Sequence, residues 1–222
     1  MWADSTRVAQ LDLRPARISL DPVRRSTQLL TGLTLYGASI AILTRAHIGL
    51  EPWGVLAEGV MKHTGLSFGT VTGIISVAVL LLWIPLKQRP GIGTVANVVV
   101  ISVTVDVVRA FLPDQHVLGW QIALLAGGVA LNGLATATYV GARLGPGARD
   151  GLMTGLAART GWSVRLVRTG IEVTVLGAGW LLGGTVGVGT VVYALAIGPL
   201  TQALLPLVVW REAQHEEQER VH

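Results

Sequence analysis

Residues 141–163 read GARLGPGARDGLMTGLAARTGWS. Three arginines, an aspartate and a Gly-Pro-Gly interrupt a chain otherwise written in Val, Leu, Ile, Ala and Gly. Residues 45–67, RAHIGLEPWGVLAEGVMKHTGLS, break the apolar text in the same way. The two stretches are related by a shift of 96 residues without gaps. Under that shift Ala46 meets Ala142, Gly49 meets Gly145, and Gly59 meets Gly155. Thr64-Gly65 meets Thr160-Gly161, and Ser67 meets Ser163. The register holds outward in both directions: Gly32 meets Gly128, and GIGTV at 91–95 meets GVGTV at 187–191. Between positions 32 and 101 there are about 20 identities in 70 pairs, more than a Gly- and Val-rich composition gives by accident.

The bulk composition says what solvent these repeated units meet. Of 222 residues 51% are hydrophobic and 14% charged, and the mean hydropathy is +0.58. Soluble domains carry about 25% charged residues. Crossing a bilayer core takes about 20 mostly apolar residues. Six stretches qualify, at roughly 26–46, 67–87, 92–113, 117–141, 163–183 and 187–209. A buried soluble bundle would need polar faces that these segments lack. The fold class is therefore an all-α polytopic membrane protein. The pI of 10.1 does not indicate nucleic acid, because the arginines lie at the ends of apolar segments and not on one polar face.

Lys and Arg accumulate on the cytoplasmic side of membrane proteins. With the N-terminus inside, 14 of the 17 Lys and Arg residues face the cytoplasm, and only Arg45, Lys62 and Arg109 lie outside. Both termini are thus expected in the cytoplasm, with the chain crossing the plasma membrane several times. A basic tail at 1–25 and a polar tail at 210–222 flank two three-span units, 26–113 and 114–209. The long polar N-terminus does not read as a cleavable signal peptide. Three spans are an odd number, so the second unit enters the membrane upside down, and the charge count independently agrees. The expected architecture is six transmembrane helices in a 3+3 inverted repeat, a plan that recurs in secondary transporters.

Each break makes a short helix after the first span of its unit. Pro52 opens one at about 52–64, with Glu51 at its positive end. Asp150 is expected to cap the other, at about 151–160. Pieces this short and polar do not cross; they lie at the interface or dip in and return.

The strings GLEPWGVL, TGLSFGTV, RPGIGTVANVVV, RDGLMTGLAARTGWSVRLVRTGIEVTVLGAGWLLGGTVGVGT and IGPLTQ resemble the YczE/YyaS/YitT-like bacterial integral membrane proteins. The resemblance covers about 26–209 and implies the architecture more firmly than an activity. In that family the first-half motif usually reads Pro-Trp-Asp, whereas this chain has Pro52-Trp53-Gly54. Asp150 matches Gly54 under the shift, so one of two related acids is missing and Asp150 alone would carry the role of the pair.

Candidate site residues follow from charge placed in apolar text. Glu172 lies near the middle of the fifth span, with Arg168 and Arg165 one and two turns before it. A carboxylate there costs at least about 2.5 kcal/mol unless paired, protonated or wet. The three are expected to form one polar stripe facing the bundle interior. Asp106 sits near Arg109 on the third span, and Asn97 and Asn132 can hydrogen-bond across helices. The broken regions add Glu51, Trp53, Arg149 and Asp150. Glycine ladders such as Gly147, Gly151, Gly155 permit close helix packing, or a homodimer through the same face. With no cysteine and every histidine in a loop or tail, no metal or other cofactor is expected. The motifs of metalloproteases, serine hydrolases and P-loop enzymes are absent, so no enzyme is expected.

Two readings follow. One is a small secondary transporter or exporter for an unidentified small molecule or ion, with its site between the inverted repeats. The other is a membrane scaffold or accessory protein of a membrane-associated pathway, with Glu172 permanently paired. The bilayer is a partner in both, and nucleic acid in neither.

Overall fold

The structure is a computed structural model that describes residues 19–210. The two tails fall largely outside the described residues. Among these residues the fold is all helical: α1 (Pro22–Ala46), α2 (Pro52–Thr64), α3 (Phe68–Leu86), α4 (Ile92–Phe111), α5 (Leu118–Gly141), α6 (Ala148–Thr160), α7 (Val164–Leu181) and α8 (Val188–Val208).

Five of these, α1, α3, α4, α5 and α8, are long and apolar enough to cross a membrane. The expectation of six fails this test at α7, whose 18 residues include Arg165, Arg168 and Glu172. α1 and α5 pack along each other through the centre. α4 lies on α1 and α8 on α5, while α2 packs on α7 and α6 on α3. The outward side of α4 is a stripe of Val95, Val99, Val103 and Val107, all exposed. Their spacing of four puts them on one helix face, as a surface turned to hydrocarbon requires.

Local geometry recurs at the 96-residue offset. Gly49 and Gly145 have φ of 121° and 131°, a region closed to residues with a side chain. At these breaks Gly93 donates to the Leu144 carbonyl at 3.1 Å, and Gly189 donates to the Ile48 carbonyl at 2.8 Å. Ser67 and Ser163 cap α3 and α7 through their hydroxyls. Helix contacts correspond too: Gly32 packs on Tyr139 and Gly128 on Leu43, while Gly37 packs on Thr104 and Gly133 on Leu200. At two crossings a large and a small residue are exchanged. The Trp83 ring lies on Gly151, whereas Gly179 lies against the backbone of Val55 and Leu56. Trp83 also donates to the Ala148 carbonyl at 2.9 Å, fixing α3 to the start of α6.

The correspondence ends on one side. α3 packs closely on α4, with Gly69 and Gly73 against Ser102, but α7 does not pack along α8 in the same way. A Cβ added at Gly170, Gly177 or Gly198 would meet nothing within 4 Å.

Two details differ from the sequence reading. Asp150 is not the cap of α6; Gly147 is, and Asp150 lies in the first turn. Arg24 and Arg25, assigned to the tail on charge grounds, belong to the first turn of α1. Arg25 is fully buried. Its Nε donates to the Ala142 carbonyl at 2.9 Å and its Nη2 to the Arg143 carbonyl at 3.0 Å. The guanidinium also lies 4.6 Å from the Trp210 ring centroid. It thus ties the beginning of α1 to the second break.

At the end of α1, in the loops, Asp114 accepts from Arg45 Nη1 at 2.7 Å and lies 2.7 Å from His47 Nε2. The His47 and His116 rings are stacked, with centroids 6.0 Å apart. Hydrogen bonds from His47 and Arg45 hold the Asp114 carboxyl below the usual carboxylate range.

Candidate functional site

The first turns of α2 and α6 face each other. Trp53 on α2 and Arg149 on α6 are in contact, with the guanidinium 4.9 Å from the indole centroid. Trp53 also shares an apolar cluster with Val79, Trp83, Ala148 and Leu152, which holds the two helix starts together.

Each start supplies one carboxylate. Glu51 precedes α2 as its N-cap but makes no capping hydrogen bond. It is 3% exposed, and neither carboxylate oxygen has a hydrogen-bond partner. Its Oε2 stands beside Gly54, where an added Cβ would be 2.6 Å away. In α6 the arrangement is reversed. Glycine is the N-cap, at 147, and the acid is Asp150, three residues on. An added Cβ at Gly147 would be 3.0 Å from Asp150 Oδ2 and 3.6 Å from Asn97 Nδ2. The acid that is absent at position 54 is thus answered by Glu51, whose side chain fills the space next to that glycine.

Tyrosines complete the cluster. Tyr36 on α1 and Tyr139 on α5 meet edge to face at 5.8 Å. The Tyr139 hydroxyl is 3.5 Å from Asp150 Oδ2, a long contact. The Tyr193 hydroxyl donates to Asn132 Oδ1 at 2.9 Å, and Asn132 Nδ2 donates to Ser39 Oγ at 2.7 Å. These bonds join α8, α5 and α1. Tyr36 lies within electrostatic range of Glu51, Arg149 and Asp150. Two carboxylates, a guanidinium, three phenols and two amides therefore surround one region at the centre of the bundle.

Of the residues singled out in the sequence, Glu51, Trp53, Asn97, Arg149 and Asp150 come together here. Arg168 and Glu172 form their expected i, i+4 pair at 3.0 Å. The expectation that this stripe faces the interior is corrected: the side chains are 55% and 33% exposed, because α7 does not close on α8. Arg168 nonetheless reaches the cluster through its field, acting on Asp150. Asp106 stands apart. It accepts from the Ser67 hydroxyl and, at 2.7 Å, from the Gly69 amide, so it secures the start of α3. The tyrosines were missed, although three hydroxyls placed in apolar spans were a readable signal. Glu58 was missed as well. It accepts from the Thr185 amide at 2.6 Å and pairs with Lys62 at 3.2 Å, tying α2 to the loop before α8.

Residues 23–206 match the model of a family described as a family of unknown function, DUF6198. An uncharacterized protein of Haemophilus influenzae is 37% identical over 180 residues, covering 81% of this chain and 83% of its own. The uncharacterized membrane protein YczE of Bacillus subtilis is 36% identical over 188 residues, covering 83% of this chain and 86% of its own. No solved structure matches. Helices of membrane-spanning length, the paired breaks and these similarities agree that the chain is a membrane protein and belongs to the DUF6198 family.

Proposed function

We propose that this protein is a small secondary transporter or exporter of the bacterial plasma membrane, built as two inverted three-span units with both termini in the cytoplasm. α7 serves as the sixth span, and α2 and α6 dip towards the centre from opposite sides. Arg168 and Glu172 stand at the open α7 side of the site. The reading is supported by the geometry that recurs at the 96-residue offset and by the excess of Lys and Arg on one side. One observation carries it above the others: Glu51 is buried without a hydrogen-bond partner at the meeting point of two interrupted segments, beside charged groups from the other unit. A buried carboxylate of this kind is costly, and a merely structural role would have given it partners.

The scaffold reading draws on the outward face of α7, where an ion pair exposed in the monomer could dock a protein partner. Thiol labelling separates the two, since the native chain has no cysteine. Single cysteines at Thr64 and Thr160, both exposed and 96 residues apart, should react with an impermeant reagent from opposite sides. Reaction from the same side would sink the inverted arrangement. A cysteine at Asp150 should react from both sides; if only one side ever labels it, the transporter reading falls and the scaffold stands.

A further inference from the structure

Resting on the reading of the central cluster as a transport site, we infer that the Glu51 carboxylate holds one monovalent cation, with Asp150 as the second acid of the same cluster. The positional exchange described above is the first ground. Glu51-x-x-Gly54 in one half faces Gly147-x-x-Asp150 in the other, so each half contributes one carboxylate and leaves a glycine where the other half has its acid. The two glycines make room for the two side chains. The second ground is the state of Glu51. Ser67 and Ser163 show what a capping side chain does in this fold, and Glu51 does not do it. No other residue donates a hydrogen bond to its two oxygens, and Arg149 acts on them through its field.

Charge sets the valence. Arg168 and Glu172 neutralise each other as a pair. With both carboxylates ionised, Glu51, Asp150 and Arg149 sum to one net negative charge. The other groups facing Glu51 are Tyr36 from α1 and Tyr193 from α8, both phenols. One added positive charge balances the region, and a divalent ion would overshoot it. The Glu51 carboxylate itself fills the space beside Gly54, so what binds there must be small: a proton or an unsolvated alkali ion. Both supply the same chemistry, a single positive charge on a carboxylate oxygen.

The experiment reads the thermal midpoint of the purified full-length protein in detergent at constant ionic strength. The probe is Na⁺ exchanged against N-methylglucamine, at several pH values between about 5 and 9. A ligand that binds only the folded state raises the midpoint. A Na⁺-dependent rise of a few degrees at high pH identifies an alkali ion. A rise on acidification without a Na⁺ effect identifies a proton. Glu51→Gln should abolish whichever response occurs, and the exchange E51G/G54D should restore it, because the acid returns to the same place from the neighbouring turn. Indifference of the wild-type midpoint to both variables overturns the inference, as does an unchanged response in E51Q. Should E51Q fail to fold, the infrared signal of a protonated buried carboxyl, compared between wild type and Asp150→Asn under both conditions, answers the same question. Binding is read at equilibrium, so its failure is distinct from a failure of the two-sided labelling.

Discussion

Trp53 and Arg149 stand 96 residues apart, at equivalent places in the two halves, and they touch each other, the guanidinium 4.9 Å from the indole centroid. The two positions correspond under the 96-residue shift, so this contact joins the starts of the two short helices. It also sets the charge there. Arg149→Gln should destabilise the protein by about 2 kcal/mol, because it removes the countercharge of Glu51 and Asp150. Adding Glu51→Gln should recover part of that loss. Thermal unfolding of the two single variants and the double variant gives the coupling directly; additivity would show that the two groups do not interact.

Arg25 binds the start of α1 to two carbonyls at the second break. Arg25→Ala leaves those buried acceptors unpaired and should cost about 3 kcal/mol. Limited proteolysis between residues 143 and 147 should become faster. Lysine should rescue only part of the effect, since one ammonium does not reproduce the fork of the guanidinium. Full rescue by lysine would mean that charge alone matters.

The Trp83 ring occupies the space above Gly151. Gly151→Ala should therefore destabilise by about 1–3 kcal/mol through overpacking, even though alanine is the better helix former. Gly170→Ala faces open space and should be neutral or slightly stabilising. Midpoints of the two variants moving in the same direction would contradict the close approach of α3 and α6.

Asp114 provides the pH prediction. Its carboxyl is held below the ordinary value by hydrogen bonds from His47 and Arg45. A depressed carboxylate contributes stability that is present above its unfolded value, about 4, and is lost as pH falls through its folded value. The midpoint should thus fall faster on acidification below about pH 4 in wild type than in Asp114→Asn. The difference should be small, because the side chain is 45% exposed and the bonds are screened. Equal acid limbs would show that the cluster is not formed in solution.

The sequence was most legible where backbone chemistry is local. Pro52 and Gly65 bound α2 at Pro52–Thr64, as the reading from residues placed it. Glycines and serines matched at an offset of 96 mark the corresponding turns. Long-range facts were harder to read. Spacing paired Arg168 with Glu172, yet whether that face points inward depends on α7 meeting α8, which no local pattern states. The 96-residue shift sets Gly54 opposite Asp150 and so leaves position 54 without an acid. It could not show that the side chain of Glu51 reaches back into that space, because a register compares positions and not volumes. Arg25 reads as one more charge of a tail, yet two of its carbonyl acceptors lie 117 and 118 residues away.

The glycine seam between α3 and α4 has a mechanical consequence. Gly69 lies so close to the Ser102 carbonyl that a methyl group would not fit, and the equivalent position on α7 is Arg165. The α7–α8 wall cannot be drawn shut by the same approach. If the protein works by exposing its centre to each side in turn, its halves cannot simply trade shapes. One half then serves as the stator and α7 as the moving part. A crosslink between positions 73 and 102 would leave such a cycle running, and a tether from α7 to α8 would stall it.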